Sequence, residues 1–358
     1  MNNTEQLKVN KKYPGPVAAG VFFSLTTILL VYGGNLLAFN NNYLNSGLGE
    51  VFFVLLPVLV FLIAGKYNLK DTLKLRKTRP IHYLIIVFLM LFGMPVVGVL
   101  NAVVLVIIRL IFGRNLPVPE IIIPDVPTLF IAILVIGVSA AVCEETLFRG
   151  MISKGYEKLG VVGSLALTSI LFGILHRDIQ KFVSTILLGA LIGFIVYRTK
   201  SIYAGMAAHF TNNTVAVLLT YAAAKMTEKM KDLGVEQVEN FDFSNIPTAS
   251  LVIVIVFYGI LFLGFLAGFI GLFYAFYKST EKNFITASHL TQLLNNSAED
   301  EMEQGEVSDE RKKFGLAALI SVLPGIILII LTFAGQILEL MEVKSGLVYT
   351  FLRTFGLS

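Results

Sequence analysis

The sequence predicts an all-α fold: a polytopic membrane bundle of about nine transmembrane helices, each near the 20 apolar residues that cross a bilayer. Two observations lead to this fold class. Charged residues make up only 15% of the 358 residues, against about 25% in soluble domains. The mean hydropathy is +0.78, and apolar segments recur along the whole chain. We therefore expect an integral, multi-pass protein surrounded by membrane lipids.

Nine segments have the composition of a membrane span. They are residues 16–39, 49–65, 81–112, 128–148, 161–176, 182–197, 201–224, 249–277 and 314–338. The third is long enough for two spans, with Gly93, Pro95 and Gly98 as candidate kinks. Counting it as one span and placing the N-terminus in the cytoplasm puts 19 of the 28 Lys and Arg residues on the cytoplasmic side. Because cytoplasmic loops carry the excess of positive charge, we expect one span and this orientation.

The spans divide the chain into regions. We expect N-terminal helices over 1–127, a catalytic core over 128–224, a polar extracellular loop over 225–248 and C-terminal helices over 249–358, interrupted by an acidic connector at 278–313. The single cysteine, Cys143, excludes an intramolecular disulfide. No Gly-rich phosphate loop, nucleotide fingerprint or nucleic-acid-binding pattern occurs, so neither nucleotides nor nucleic acids are expected as partners.

The first chemical motif combines Glu144, Glu145 and Arg149 at the end of an apolar run. Ionisable groups within a span are costly and mark functional sites. Glu145 and Arg149 are four residues apart with the acid first, the favoured order for an ion pair on a helix. Glu144 projects about 100° away from its neighbour. We therefore predict that Glu145 and Arg149 brace the helix, whereas Glu144 takes part in chemistry.

Two later pairs contain the groups that could act with Glu144. Phe172 and His176 are four residues apart, which predicts packing of the phenyl ring against the imidazole. His209 and Asn213 share a helix face in the same way, with Cβ atoms roughly 6 Å apart. An imidazole and an amide can both donate toward one point, as a developing oxyanion requires.

The spacing also predicts that Glu144 and His176 meet. If 128–159 is one helix and 161–176 the next, the turn lies near Gly160. Each of the two residues then lies about 24 Å from the turn, at 1.5 Å per residue. An antiparallel helical hairpin would place both side chains at the same depth in the membrane.

Together, Glu144-Glu145-x-x-x-Arg149, Phe172-x-x-x-His176 and His209-x-x-x-Asn213 resemble the CPBP family, the CAAX prenyl-protease and bacteriocin-processing family of intramembrane glutamic endopeptidases. The order and spacing are those of the family, and the resemblance covers about residues 128–224. It implies a metal-independent hydrolase without a cofactor, in which Glu144 and His176 activate water. His209 and Asn213 would hold the oxyanion, and Glu145, Arg149 and Phe172 would support the site.

The same resemblance implies a peptide or protein substrate, with or without a lipid modification, and a bacterial or archaeal cell membrane. The alternatives are a zinc protease and a non-enzymatic immunity, scaffold or transport protein. For zinc, Glu144, His176 and His209 could supply three ligands and leave a fourth position for water. Against zinc, the sequence has no His-Glu-x-x-His helix, and Asn213 would lack a role.

Overall fold

The computed structural model describes residues 11–37, 39, 41–117, 121–234, 248–299 and 307–357. It confirms the predicted all-helical membrane bundle: 84% of the described residues are helical, and no strand occurs among them. The helices, in chain order, are α1 Pro16–Tyr32, α2 Asn42–Ala64, α3 Leu69–Thr72, α4 Pro80–Phe112, α5 Val126–Gly155, α6 Gly160–Leu175, α7 Phe182–Thr199, α8 Ile202–Asp232, α9 Thr248–Glu299, α10 Val307–Leu340 and α11 Leu347–Thr354.

Seven helices in the described part are long and apolar enough to cross a membrane, so the protein is an integral, multi-pass membrane protein. They are α2, α4, α5, α6 with its preceding turn, α7, the Val252–Glu281 part of α9 and the Gly315–Leu340 part of α10. The predicted count of nine is not confirmed. Helix α1 has only 17 residues, and α8 is absent from the seven because polar residues interrupt its apolar sequence.

Helix α4 is one continuous helix of 33 residues with Pro95 in its interior. The prediction that this segment does not break into two spans is therefore confirmed. The sequence signal was ambiguous because a proline removes a backbone hydrogen bond without necessarily ending a membrane helix.

Two predicted loops are partly helical. The extracellular-loop prediction for 225–248 is wrong for its first part, because α8 runs to Asp232 through residues with high helix propensity. The connector prediction for 278–313 is wrong for 278–299 and 307–313, which lie in α9 and α10. Residues 278–299 contain no Gly or Pro to end the helix. The remainder, 235–247 and 300–306, lies outside the described residues.

Helices α5, α6 and α8 position the three motifs. Helices α5 and α6 form the predicted hairpin. A short 3₁₀ turn, Glu157–Leu159, joins them. Gly160 follows this turn with φ +74°, a conformation that favours glycine. Around the motif, α5 contains two π-helical segments, Ile133–Ser139 and Thr146–Ile152. Such segments are rare and occur frequently at functional sites.

Candidate active site

The acidic motif on α5 forms a buried ion pair. Nη1 of Arg149 donates to Oε1 of Glu145 at 2.9 Å, and the two side chains are 4% and 0% exposed. Nη2 of Arg149 donates to the carbonyl of Gly189 on α7, also at 2.9 Å. The predicted bracing contact between Glu145 and Arg149 therefore exists, and it also ties α5 to a neighbouring helix.

His209 of α8 contacts the same carboxylate. Its Nδ1 lies 3.0 Å from Oε1 of Glu145, and the imidazole is buried. A carboxylate accepts hydrogen bonds, so Nδ1 is the protonated nitrogen of the ring. The close approach depends on Gly205, one turn earlier on α8: a Cβ atom there would lie 2.9 Å from Oε2 of Glu145. Helices α5 and α8 are thus joined by a Glu–His pair that the sequence analysis did not predict.

The ring of Phe172 on α6 contacts both imidazoles. Its centroid is 4.8 Å from that of His176 and 5.8 Å from that of His209. The Arg149 guanidinium lies 4.5 Å from the same ring centroid, as in a cation–π contact. The predicted packing of Phe172 on His176 is confirmed, and the ring gathers residues of all three motifs.

His176 lies at the C-terminal end of α6 and is exposed. Its Nδ1 is 2.8 Å from the backbone carbonyl of Phe172. Because a carbonyl only accepts, Nδ1 donates this bond and carries the proton in the neutral ring. Nε2 is then an acceptor, able to take a proton from a water molecule.

The amide of Asn213 is held in place from both sides. Its Nδ2 donates to the carbonyl of Ile136 at 2.8 Å, and its Oδ1 accepts from Nδ2 of Asn212 at 3.1 Å. The bond to Ile136 uses one of the two amide hydrogens. The other hydrogen remains available for a ligand.

Glu144 differs from its neighbour. It is half-buried, and its Oε2 is a buried oxygen without a hydrogen-bond partner. Within the described residues, no hydrogen bond joins Glu144 to His176 or His209. Its predicted role beside His176 therefore stays a prediction.

The sequence analysis missed Glu50, an acidic residue on a helix that packs against α5. Glu50 begins the π-helical segment Glu50–Leu55 of α2, which packs against Ala140–Glu145, and its Oε2 is likewise buried without a hydrogen-bond partner. The available signal was an acidic residue at the start of the apolar segment 49–65, where an ionisable group is costly.

Outside the spans, Lys74 links the two helices of the Glu–His pair. Its Nζ donates to the backbone carbonyl of Arg149 on α5. Its own carbonyl accepts from the backbone N–H of Ile202, the first residue of α8, at 3.1 Å. Burial lowers the pKa of Lys74 from its usual value to about 8.

Among the described residues, no three His, Cys, Asp or Glu side chains are arranged to hold a metal ion. Glu144, His176 and His209, the ligands considered for zinc, would have to move to form such a site. A shared metal needs ligand atoms about 2.0–2.2 Å from one point.

The fold and these contacts define a multi-pass membrane protein with a buried Glu–Arg–His network. Residues 126–215, which include every motif residue, match the model of the family described as type II CAAX prenyl endopeptidase Rce1-like. This match confirms the family resemblance read from the three motifs. A stretch of 108 residues is 28% identical to the putative membrane peptidase YdiL of Bacillus subtilis (strain 168), covering 30% of this chain and 44% of that protein. No solved structure matches the chain.

Proposed function

We propose that this protein is an intramembrane endopeptidase that hydrolyses a peptide bond with Glu- and His-activated water and without a metal. The observation that carries the proposal is the contact of the Phe172 ring with both His176 and His209. It brings together two imidazoles from separate helices, one of which is bonded to the buried carboxylate of Glu145, an arrangement suited to proton transfer and charge stabilisation. The similarity to a CAAX-type peptidase family supports a peptide substrate.

The water is activated by Glu144 together with His176. Nε2 of His176 is the acceptor nitrogen of the ring because Nδ1 is engaged by the Phe172 carbonyl. Glu144 supplies a carboxylate without a cation bonded to it, so its oxygen is available to accept a proton from water. Binding of the substrate and its water brings Glu144 and His176 to one reaction centre. Catalytic hydrogen bonds commonly shorten only in the enzyme–substrate complex.

The oxyanion of the tetrahedral intermediate is held by His209 and Asn213. One amide hydrogen of Asn213 is free, and the oxygen of this amide is fixed by Asn212. The bond from Nδ1 of His209 to Glu145 fixes the orientation of the ring. For Nε2 to donate to the oxyanion as well, the ring must carry a proton on both nitrogens.

The test compares peptides in membranes and medium from cells with the wild-type protein and cells with Glu144→Gln. Peptides that appear only with the wild-type protein identify candidate substrates. These substrates are then tested for cleavage by the purified enzyme. A base at the reaction centre contributes about 10² to 10⁴ in rate, so we expect Glu144→Gln to lower cleavage at least about 100-fold at an unchanged melting temperature. Glu157→Gln is the matched control, since Glu157 is an exposed acid paired with Lys154.

Equal cleavage by wild type and Glu144→Gln would overturn the proposal and favour an immunity, scaffold or transport protein. Loss of cleavage in a strong chelator, with recovery on adding zinc, would instead favour the zinc enzyme. A series of cleaved peptides with and without a C-terminal prenyl group determines whether the lipid is required.

A further inference from the structure

Positive charge is concentrated at one end of the helical bundle. This basic end consists of four segments at or between helix ends, residues 11–15, 65–80, 154–158 and 198–200. Together they contain twelve Lys and Arg residues but only two acids, Asp71 and Glu157. At the opposite ends of the same helices, residues 113–125, 176–181 and 225–232 contain six Lys and Arg residues and five acids. The excess of positive charge therefore belongs to the basic end.

Measured contacts outside the membrane spans join these segments into one surface. Nζ of Lys11 and Nη2 of Arg76 lie 3.0 and 2.9 Å from the carboxylate oxygens of Asp71, so the N-terminal segment is bound to the loop that follows α2. In the same loop, Lys74 contacts α5 and the start of α8 through the two hydrogen bonds described above. Residues 198–200 directly precede α8.

Much of this charge has no partner within the protein. Within residues 65–80, four exposed cations take part in no ion pair or side-chain hydrogen bond with the described residues: Lys66, Lys70, Lys77 and Arg79. Both acids of the basic end are already engaged, since Asp71 binds two cations and Glu157 pairs with Lys154. The four cations are therefore available to an external anion.

The tyrosines of the basic end indicate its depth relative to the bilayer. Three ammonium groups lie over tyrosine rings, at 4.5 Å for Lys12 and Tyr67, 4.3 Å for Lys154 and Tyr13, and 4.2 Å for Lys200 and Tyr197. Tyrosine is enriched where a membrane protein crosses the level of the lipid headgroups, and Lys side chains near helix ends extend to the same level. The cations beside α2 and α4 are thus close to the depth of the lipid phosphates.

We propose that the basic end binds anionic phospholipids through their headgroup phosphates, in preference to the zwitterionic lipids that also surround the bundle. Lys and Arg form charge-assisted hydrogen bonds with phosphate oxygens, and clusters of four to eight basic residues beside a membrane helix recognise anionic lipids. A zwitterionic lipid has the same phosphate, but its own cation cancels the charge. This binding is independent of the proposed peptidase activity, because it uses none of the residues of the candidate active site.

The experiment titrates the purified protein in detergent with phosphatidylglycerol or with phosphatidylcholine of the same acyl chains, and native mass spectrometry counts the lipids bound. The test variant combines Lys66→Gln, Lys70→Gln, Lys77→Gln and Arg79→Gln. The control variant removes four exposed cations elsewhere, by Lys229→Gln, Lys231→Gln, Lys344→Gln and Arg353→Gln. The two variants therefore have the same net charge.

We expect the wild type to prefer phosphatidylglycerol. Each basic residue near the membrane surface contributes about fivefold in affinity. The test variant should therefore need at least about tenfold more phosphatidylglycerol for half-saturation, whereas the control variant should stay within about twofold of the wild type. Raising the salt from 0.1 M to 1 M shortens the range of charge interactions from about 10 Å to about 3 Å and should weaken the preference of the wild type.

Equal binding of the two lipids by the wild type would overturn the proposal, and this result requires no variant to fold. Equal losses in the two variants would also overturn it, because net charge rather than the basic end would then attract the lipid. A third measurement adds long-chain polyphosphate to the wild type in bilayers of phosphatidylcholine alone. If polyphosphate bound as tightly as phosphatidylglycerol does, the ligand would be a soluble polyanion rather than a lipid. Melting temperatures in phosphatidylcholine verify that both variants are folded.

Discussion

Oε1 of Glu145 lies 3.0 Å from Nδ1 of His209, so the second acid of the motif, rather than the first, contacts a motif histidine. The two adjacent glutamates therefore have different environments. Glu145 is buried between a guanidinium and an imidazole, whereas a buried oxygen of Glu144 has no partner. This difference favours a supporting role for Glu145 and leaves Glu144 available for chemistry, as the helix geometry of the motif predicts.

Gly205 gives a direct test of the contact between α5 and α8. In Gly205→Ala the new Cβ would lie 2.5 Å from Cγ2 of Val196 and 2.9 Å from Oε2 of Glu145. Both distances are too short, so we expect the helices to separate, with a lower melting temperature and a strong loss of peptide cleavage. The measurement is thermal unfolding in detergent, together with cleavage of an identified peptide.

Gly264→Ala is the matched control because a Cβ there would meet nothing within 4 Å. In a helix interior, alanine is favoured over glycine by about 0.5–1 kcal/mol, so this variant should be as stable as the wild type or slightly more. Equal effects of the two substitutions would mean that close packing at Gly205 is not what joins α8 to Glu145.

Phe172 is expected to be critical because its ring contacts both imidazoles and Arg149. It is fully buried. Replacing a buried Phe with Ala costs about 3–5 kcal/mol, so Phe172→Ala should unfold at a clearly lower temperature. Phe172→Leu fills much of the space, so its melting temperature should fall only slightly. Its cleavage rate should fall strongly, since a branched aliphatic chain cannot orient the imidazoles of His176 and His209. Thermal unfolding and cleavage rates measured on the same samples separate these effects.

The control for Phe172 is Phe130→Ala on α5, whose side chain is exposed. We expect little change in either measurement for this variant. If Phe172→Leu retained the wild-type cleavage rate, contact of an aromatic ring with His176 and His209 would not be needed for activity.

Contacts within one helix were predictable from the sequence, since they follow from the spacing of residues. The Glu145–Arg149 ion pair and the Phe172–His176 ring contact are both i,i+4 pairs and are both present. The hairpin turn near Gly160 was predictable for a similar reason, because the apolar pattern stops there.

Contacts between helices were not predictable, because they depend on how each helix is rotated about its axis. The bond from His209 to Glu145 and the packing of the Glu50–Leu55 segment of α2 against α5 both depend on this rotation. The π-helical segments around Ala140–Glu145 change the rotation further, and hydrophobic periodicity does not reveal them. Helix ends were also missed, as at Asp232, because propensity and charge alone do not mark the end of a helix.

Asn213→Ala tests the oxyanion role. Removing one oxyanion donor lowers kcat about 10² to 10³-fold, so we expect a loss in this range with a small change in KM. The substitution also removes the side-chain hydrogen bond to the carbonyl of Ile136, which should cost about 0.5–1.5 kcal/mol of stability. Asn212→Ala is the control: it removes the bond to Oδ1 of Asn213 but keeps the donor, so its activity should fall much less. Equal losses for both variants would argue against a donor role for Asn213.

Lys74 predicts how stability depends on pH. Burial lowers its pKa to about 8 in the folded protein, opposed by Glu157 and reinforced by Lys154 and Lys200. In the unfolded chain its pKa returns to about 10.4, so between these values the unfolded chain binds more protons. The free energy of unfolding should therefore rise with pH across this window.

The measurement is the melting temperature of wild type and Lys74→Met in detergent from pH 7 to pH 10.5. Below pH 8 the wild type bears the full cost of a buried ammonium, which the methionine variant avoids. As pH rises, the wild type should gain stability relative to the variant. Parallel curves over the whole range would show that the amine of Lys74 titrates alike in the folded and unfolded chains.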